Sequence, residues 1–207
     1  MIQSLLLASL VFAAPMVFGQ EGERVLKPVI EAGDRWTYRG LNVLGFGVEE
    51  YEMEVASVHA GLIQVVCTRK RDAKEFDGTF TDEWSSTTSC SGFINQPPPR
   101  FLRFPMVPGD SHTVKYTSHR VRETGFIHPV EGKVVVKGWD TVEVPAGRFR
   151  AMKIEAEMSA VQANGSVLRR FVSIWYSPEV RNTVKFESRA RGADTFSNEL
   201  LSYKLVQ

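Results

Sequence analysis

The run Glu49-Glu-Tyr-Glu-Met-Glu-Val-Ala-Ser-Val58 places Tyr51, Met53 and Val55 on odd positions and Glu50, Glu52 and Glu54 on even ones. A period of two belongs to a strand, whose successive side chains point to opposite faces, one buried and one in water. The pattern returns where Met152, Ile154, Ala156 and Met158 alternate with Lys153, Glu155, Glu157 and Ser159. It returns again where Val184 and Phe186 alternate with Thr183, Lys185 and Glu187. Three such runs argue against helix in those places.

Further strands are expected at Trp36–Arg39, Leu62–Thr68, Thr79–Ser86, Thr113–Val121, Lys133–Trp139, Thr141–Val144, Val167–Tyr176 and Leu200–Val206. Turn chemistry separates most of them: Ala60-Gly61, Pro108-Gly109, Pro145-Ala146-Gly147, Asn164-Gly165 and Ser177-Pro178. Asn164-Gly165 is the sharpest of these signals and predicts a type I′ hairpin, because both central residues of that turn need positive φ. Asn164-Gly165-Ser166 also matches a glycosylation sequon, which the turn explains without sugar. About ten short strands with almost no helical period give an all-β domain, a curved antiparallel sheet forming a barrel or half-barrel. One short helix is expected near Val25–Ala32, limited by Pro28.

Phe93 to Met106 reads FINQPPPRFLRFPM and breaks the alternation. Three consecutive prolines exclude a central strand, so the stretch is expected to be a loop, although its apolar content is unusual for one. It is either a lid that packs its own aromatics on one end of the sheet or the rim of an apolar ligand cavity. The rim reading names Phe93, Ile94, Phe101, Leu102, Phe104 and Met106.

The chain has 207 residues, enough for one ordinary domain, and its 25 Lys plus Arg against 24 Asp plus Glu argue against a dedicated nucleic-acid binder. Residues 1–19 carry no charged side chain, and Leu5–Phe18 is apolar except for Ser9 and Pro15. This is the pattern of a secretory signal peptide ending at Gly19, with residues 20–207 as a single β domain in the periplasm or outside the cell. An uncleaved anchor is the other reading. Pro15 within the run and Glu21 and Glu23 after it favour cleavage, with at most peripheral membrane contact afterwards. Cys67 and Cys90 are the two cysteines, and an oxidising compartment favours a disulfide between them over two separate thiols.

Motifs for chemistry are missing: there is no G-x-S-x-G, H-E-x-x-H or G-x-x-x-x-G-K. Asp77-Gly78 with Asp82 and Glu83 has too few oxygen ligands at set spacing for calcium and reads as a polar turn. His59, His112, His119 and His128 are dispersed, so no metal or other cofactor is expected. Arg181, Lys185 and Arg189 share a parity on one strand, with Arg169 and Arg170 on its expected neighbour. Together they are either a basic stripe for an anionic partner or scattered surface charge.

Val142-Glu-Val-Pro-Ala-Gly-Arg-Phe149, Trp175-Tyr-Ser-Pro-Glu-Val180, Glu199-Leu-Leu-Ser-Tyr203, Gly33-Asp-Arg-Trp36 and Phe104-Pro-Met-Val-Pro-Gly109 together resemble a family of bacterial exported β-proteins without established activity. V-P-A-G-x-F and W-Y-S-P-x-V turns recur there in this order. The chain departs from that pattern at Arg148, where Thr is usual, and at Ser111-His112, where an aromatic often follows the Pro-Gly turn. The resemblance implies a curved antiparallel sheet, similar in outline to the half-barrels of periplasmic lipoprotein carriers. The apolar strand faces and the aromatic, proline-rich stretch Phe93–Met106 make the leading expectation a non-catalytic exported protein that binds a lipid, acyl chain or hydrophobic partner in an apolar concavity. The alternatives are an adaptor docking on an envelope protein through a sheet edge or the basic stripe, and a glycan or ester hydrolase. For the hydrolase, Asp77, Asp82, Glu83 and His119 offer residue type without spacing.

Overall fold

The computed structural model describes residues 24–43, 47–121, 127–190 and 195–207; the expected signal peptide lies outside them. Twelve strands form one closed antiparallel barrel. They are β1 (Arg35–Leu41), β2 (Val48–His59), β3 (Leu62–Arg69), β4 (Lys74–Thr81), β5 (Ser86–Thr88) and β6 (Phe93–Gln96). The second half holds β7 (Ser111–Arg120), β8 (His128–Val144), β9 (Gly147–Val161), β10 (Val167–Ser177), β11 (Asn182–Ala190) and β12 (Phe196–Lys204). Each strand pairs with its neighbours in sequence, and β1 closes the ring on β12, with Arg35 opposite Lys204. Of the two forms expected, barrel and half-barrel, the ring is the closed one.

The alternation seen in the sequence sorts the wall. Tyr51, Met53 and Val55 are buried, as are Met152, Ile154, Ala156 and Met158. Outside, Glu54 pairs with Arg35, Glu50 with Arg39 and Glu52 with Lys70, each across a strand boundary. Exposed pairs of this kind contribute little stability but fit only one register. An apolar interior behind a charged wall is the reverse of a barrel that crosses a bilayer, which is apolar outside.

Several elements differ from expectation. Residues 25–32 form no helix: Val25 pairs with Met106 in an isolated bridge, N to O at 2.9 Å both ways, and the segment runs without regular structure into a turn at 32–33. Pro28 supplies no amide donor for a helix, and burial of Val25 and Ile30 ties the segment to the barrel end instead. Among the described residues the one helical element is a 3-10 turn at Pro178–Val180. The 93–106 loop begins four residues late, since Phe93–Gln96 is a strand pairing with β7. The Asn164 hairpin exists, with Val161 opposite Val167, but only Gly165 has positive φ, at 80°. Gly165 N donates to Gln162 O at 2.9 Å, which makes a type I turn followed by a left-handed glycine. Positive φ at both central residues occurs instead at Ala60-Gly61, with 49° and 76°.

Gly132 on β8 sits where an added Cβ would meet the Glu157 carbonyl and the Met158 side chain on β9. The Glu157 carbonyl belongs to the sheet and cannot swing away. Gly132→Ala is expected to cost about 1–3 kcal/mol, the range for overpacking. Urea titration checks this, and an unchanged midpoint would show that the strand pair yields freely.

Candidate functional site

Twelve strands enclose more space than their own side chains fill, so the interior must be plugged, wet or occupied. One end is plugged. There the 97–110 loop and residues 24–34 enter the barrel mouth, burying Leu102 and Met106 and stacking Phe104 edge-on against Tyr176, with ring centroids 5.3 Å apart. Asp34, fully buried, ties this end together. Its carboxylate accepts from Glu31 N at 3.1 Å and Val206 N at 2.8 Å, and Arg181 Nη1 lies 3.5 Å away. The β10–β11 connection is held by three aromatic donors: Trp36 Nε1 to Val180 O at 2.7 Å, Trp84 Nε1 to Arg181 O at 2.9 Å, and Tyr38 Oη to Thr183 O at 2.8 Å. These bonds give the Gly33-Asp-Arg-Trp36 and Trp175–Val180 motifs a structural purpose.

The other end is not filled in this way. A cavity of about 430 Å³ lies there, walled by Tyr116, Val130, Met158, Leu168, Val172 and Phe186 among others. A second lobe of about 320 Å³ runs inward past Met53, Phe80, Trp84 and Ile174. The lobes share Val43, Ser89, Ser91, Phe101, Phe186 and Asn198, so they adjoin inside the barrel. Polar side chains gather at the outer lobe: Ser118, His128, Gln162, Arg170 and Ser188. Burial pushes the Tyr116 phenol up to about 12, so it stays a neutral donor. Four exposed aliphatic residues, Val48, Val121, Ile127 and Val167, stand at strand ends on this same side.

Cys67 and Cys90 are joined, and both line the inner lobe. The bridge runs from β3 to the β5–β6 turn past Gly78 of β4. A Cβ on Gly78 would lie 3.0 Å from Cys90 Sγ and 2.8 Å from Val65 Cγ2, so the glycine leaves the room the bridge occupies.

The residues expected at a rim separate. Phe93 lines the outer lobe, with the Arg120 guanidinium 4.8 Å from its ring centre. Phe101 lies between the lobes and Leu102 faces the inner one, whereas Phe104 and Met106 belong to the plug core. Ile94 is on β6 with the opposite parity to Phe93 and lines neither lobe. The stretch is thus divided between cavity wall and plug core.

The five basic residues do not form a stripe. Arg181 precedes β11 in a left-handed conformation and pairs with Asp34. Lys185 lies within 3.4 Å of Glu187 and 3.2 Å of Glu199, and Arg189 within 2.6 Å of Glu187. Arg169 is exposed on β10, while Arg170 turns inward and lines the outer lobe. Lys185 and Arg189 keep a common outward parity on β11 but are neutralised by Glu187 and Glu199, and Arg181 leaves that face because β11 begins only at Asn182.

The residues considered for hydrolysis are also dispersed. Asp82 pairs with Lys27 at 2.6 Å and Glu83 with Arg100 at 2.7 Å, both at the plugged end. Asp77 is exposed on β4 and His119 lies near the far end of β7. Among the described residues no group of three or more His, Cys, Asp or Glu is placed to hold a metal ion.

The sequence did hold a partial signal: Arg169 and Arg170 are adjacent, so in a strand one of the two must face inward, although adjacency does not say which.

No protein-family model matches the chain, and no curated protein matches it in sequence. Solved structures do match in shape. A provisionally named exported protein with a YmcC-like fold from Bacteroides fragilis superposes with TM-score 0.55 at 16% identity, over 87% of this chain and 99% of that one. A provisionally named lipoprotein of Parabacteroides distasonis gives 0.48 at 12% identity, over 88% and 100%. The hypothetical lipoprotein YmcC of Escherichia coli gives 0.48 at 6%, over 84% and 85%. The chain is thus an all-β antiparallel barrel similar in fold to the Bacteroides fragilis protein, and at this level of identity the similarity is one of fold.

Proposed function

We propose that this chain is an exported, non-catalytic barrel that holds a lipid or acyl chain in its interior. The observation that carries the reading is the pair of adjoining, largely apolar lobes inside the barrel, with the 97–110 loop plugging one end and the outer lobe at the other. Its size falls in the range of small-molecule sites, and its walls are aliphatic and aromatic with a few polar groups. Export is supported by the signal-like residues 1–19, by the Cys67–Cys90 bond and by the fold shared with the Bacteroides fragilis protein, which is described as exported.

The test uses a fluorescent fatty-acid probe together with native mass spectrometry of protein recovered from an envelope without detergent. The expected result is saturable binding and a co-purifying mass that leaves on denaturation. Ala160 lines the outer lobe near Val130 and Leu168, and Ala160→Trp is expected to lower probe affinity at least about tenfold by filling the space the ligand needs. Phe104→Ala is the control: it removes a plug contact and is expected to lower thermal stability while leaving probe affinity nearly unchanged. Wild-type protein that neither binds the probe nor carries an extra mass would overturn the reading, as would unaltered affinity in Ala160→Trp.

A further inference from the structure

The two lobes differ in charge. Deep inside, Met53, Phe80, Trp84, Leu102 and Ile174 share the wall with the neutral polar side chains of Tyr38, Tyr51, Asn182 and Thr183. Towards the outer end the wall gains Ser118, Gln162, Ser188, His128 and Arg170. Arg170 is the one permanently charged side chain among the described residues that line either lobe, and none of those residues is acidic. Its guanidinium carbon lies 4.9 Å from the ring centre of Phe196, the first residue of β12, which places the charge near the strand ends. Its field also reaches the Tyr116 hydroxyl.

We infer that the ligand is a single-chain amphiphile with a monoanionic head, bound tail-first, with its chain in the inner lobe and its head at Arg170. This rests on the proposed function and adds to it the ligand's head chemistry and its direction of entry. A guanidinium offers donors in a planar fork that fits the two oxygens of a carboxylate or of a phosphate monoanion. Within apolar walls such a contact is stronger than in water. The plug closes the far end, so a chain enters from the outer lobe and the group that enters last meets Arg170. The neutral phenol of Tyr116 is a second donor in the same lobe.

The test compares palmitate, hexadecyl phosphate and methyl palmitate by displacement of a neutral fluorescent chain probe from the full protein. The anionic ligands are expected to bind about 10- to 100-fold tighter than the methyl ester, the span given by one charged hydrogen-bonded contact. Palmitate against hexadecyl phosphate ranks the two head groups. Arg170→Met is expected to abolish the preference while the ester still binds, and Arg170→Lys to retain part of it. Equal affinity for acid and ester in the wild type overturns the inference and leaves the proposed function standing, as does a preference unchanged in Arg170→Met. Failure of all three ligands and of the probe overturns both. The wild-type comparison decides the matter even if Arg170→Met does not fold.

Discussion

Asp34→Ala is expected to lower the stability of the barrel by about 3–5 kcal/mol, the cost of breaking a buried charge pair by removing one partner. The carboxylate is fully buried and joins three parts of the chain distant in sequence: Glu31 before β1, Arg181 between β10 and β11, and Val206 after β12. Its loss strands two backbone amides and leaves the Arg181 guanidinium without that counter-charge. For a chain of this size each kcal/mol moves the midpoint by about 2–4 °C, so Tm is expected to fall by about 10 °C. Asp34→Asn keeps an acceptor oxygen and is expected to lose less. Calorimetry on the two variants and the wild type checks the order; a drop below about 2 °C in Asp34→Ala would show that the plugged end is held by apolar packing alone.

Reducing the Cys67–Cys90 bond, or replacing both residues by Ala, is expected to cost about 3 kcal/mol, because the bond closes a loop of sequence separation 23 in the unfolded chain. The effect acts on the denatured ensemble, so the guanidinium m-value is expected to rise as the unfolded chain expands, along with the fall in midpoint. The bond also lines the inner lobe, so probe affinity is expected to fall on reduction. Equilibrium denaturation with and without dithiothreitol measures both quantities, and an unchanged midpoint would count against the bond as a brace.

The sheet was legible because half of its wall is solvated: glutamates at 50, 52 and 54 against Tyr51, Met53 and Val55 leave one assignment of faces. Short β5 and β6 were not legible as strands, since Ser86–Thr88 has no alternation and Phe93–Gln96 runs straight into three prolines. Pro129 lies inside β8, where composition argues against a strand, and faces Thr117 near the end of the β7–β8 ladder. The candidate site was legible only in part. Phe93 and Phe101 were recognisable as aromatics in an odd place, but whether a loop side chain lines a cavity or fills a plug depends on where the loop re-enters the barrel. Met106 is fixed by its bridge to Val25, a contact across about 80 residues that no local pattern carries. Arg170 was visible as a basic residue, while its inward direction needed the strand boundaries at Val167 and Ser177.

The pairing of β1 with β12 also constrains the order in which the molecule folds. Eleven of the twelve strand pairings join sequence neighbours and can zip as hairpins, among them the long β8–β9 pair, whose ladder runs from Val130–Ala160 to the turn at Val144–Gly147. Arg35 cannot meet Lys204 until everything between them has been laid down. Contacts of such long sequence separation form slowly, and until this one forms the sheet has two free edges open to pairing with another copy. Ring closure is therefore the step at which this protein is most exposed to aggregation, and the step a chaperone of exported chains would need to guard.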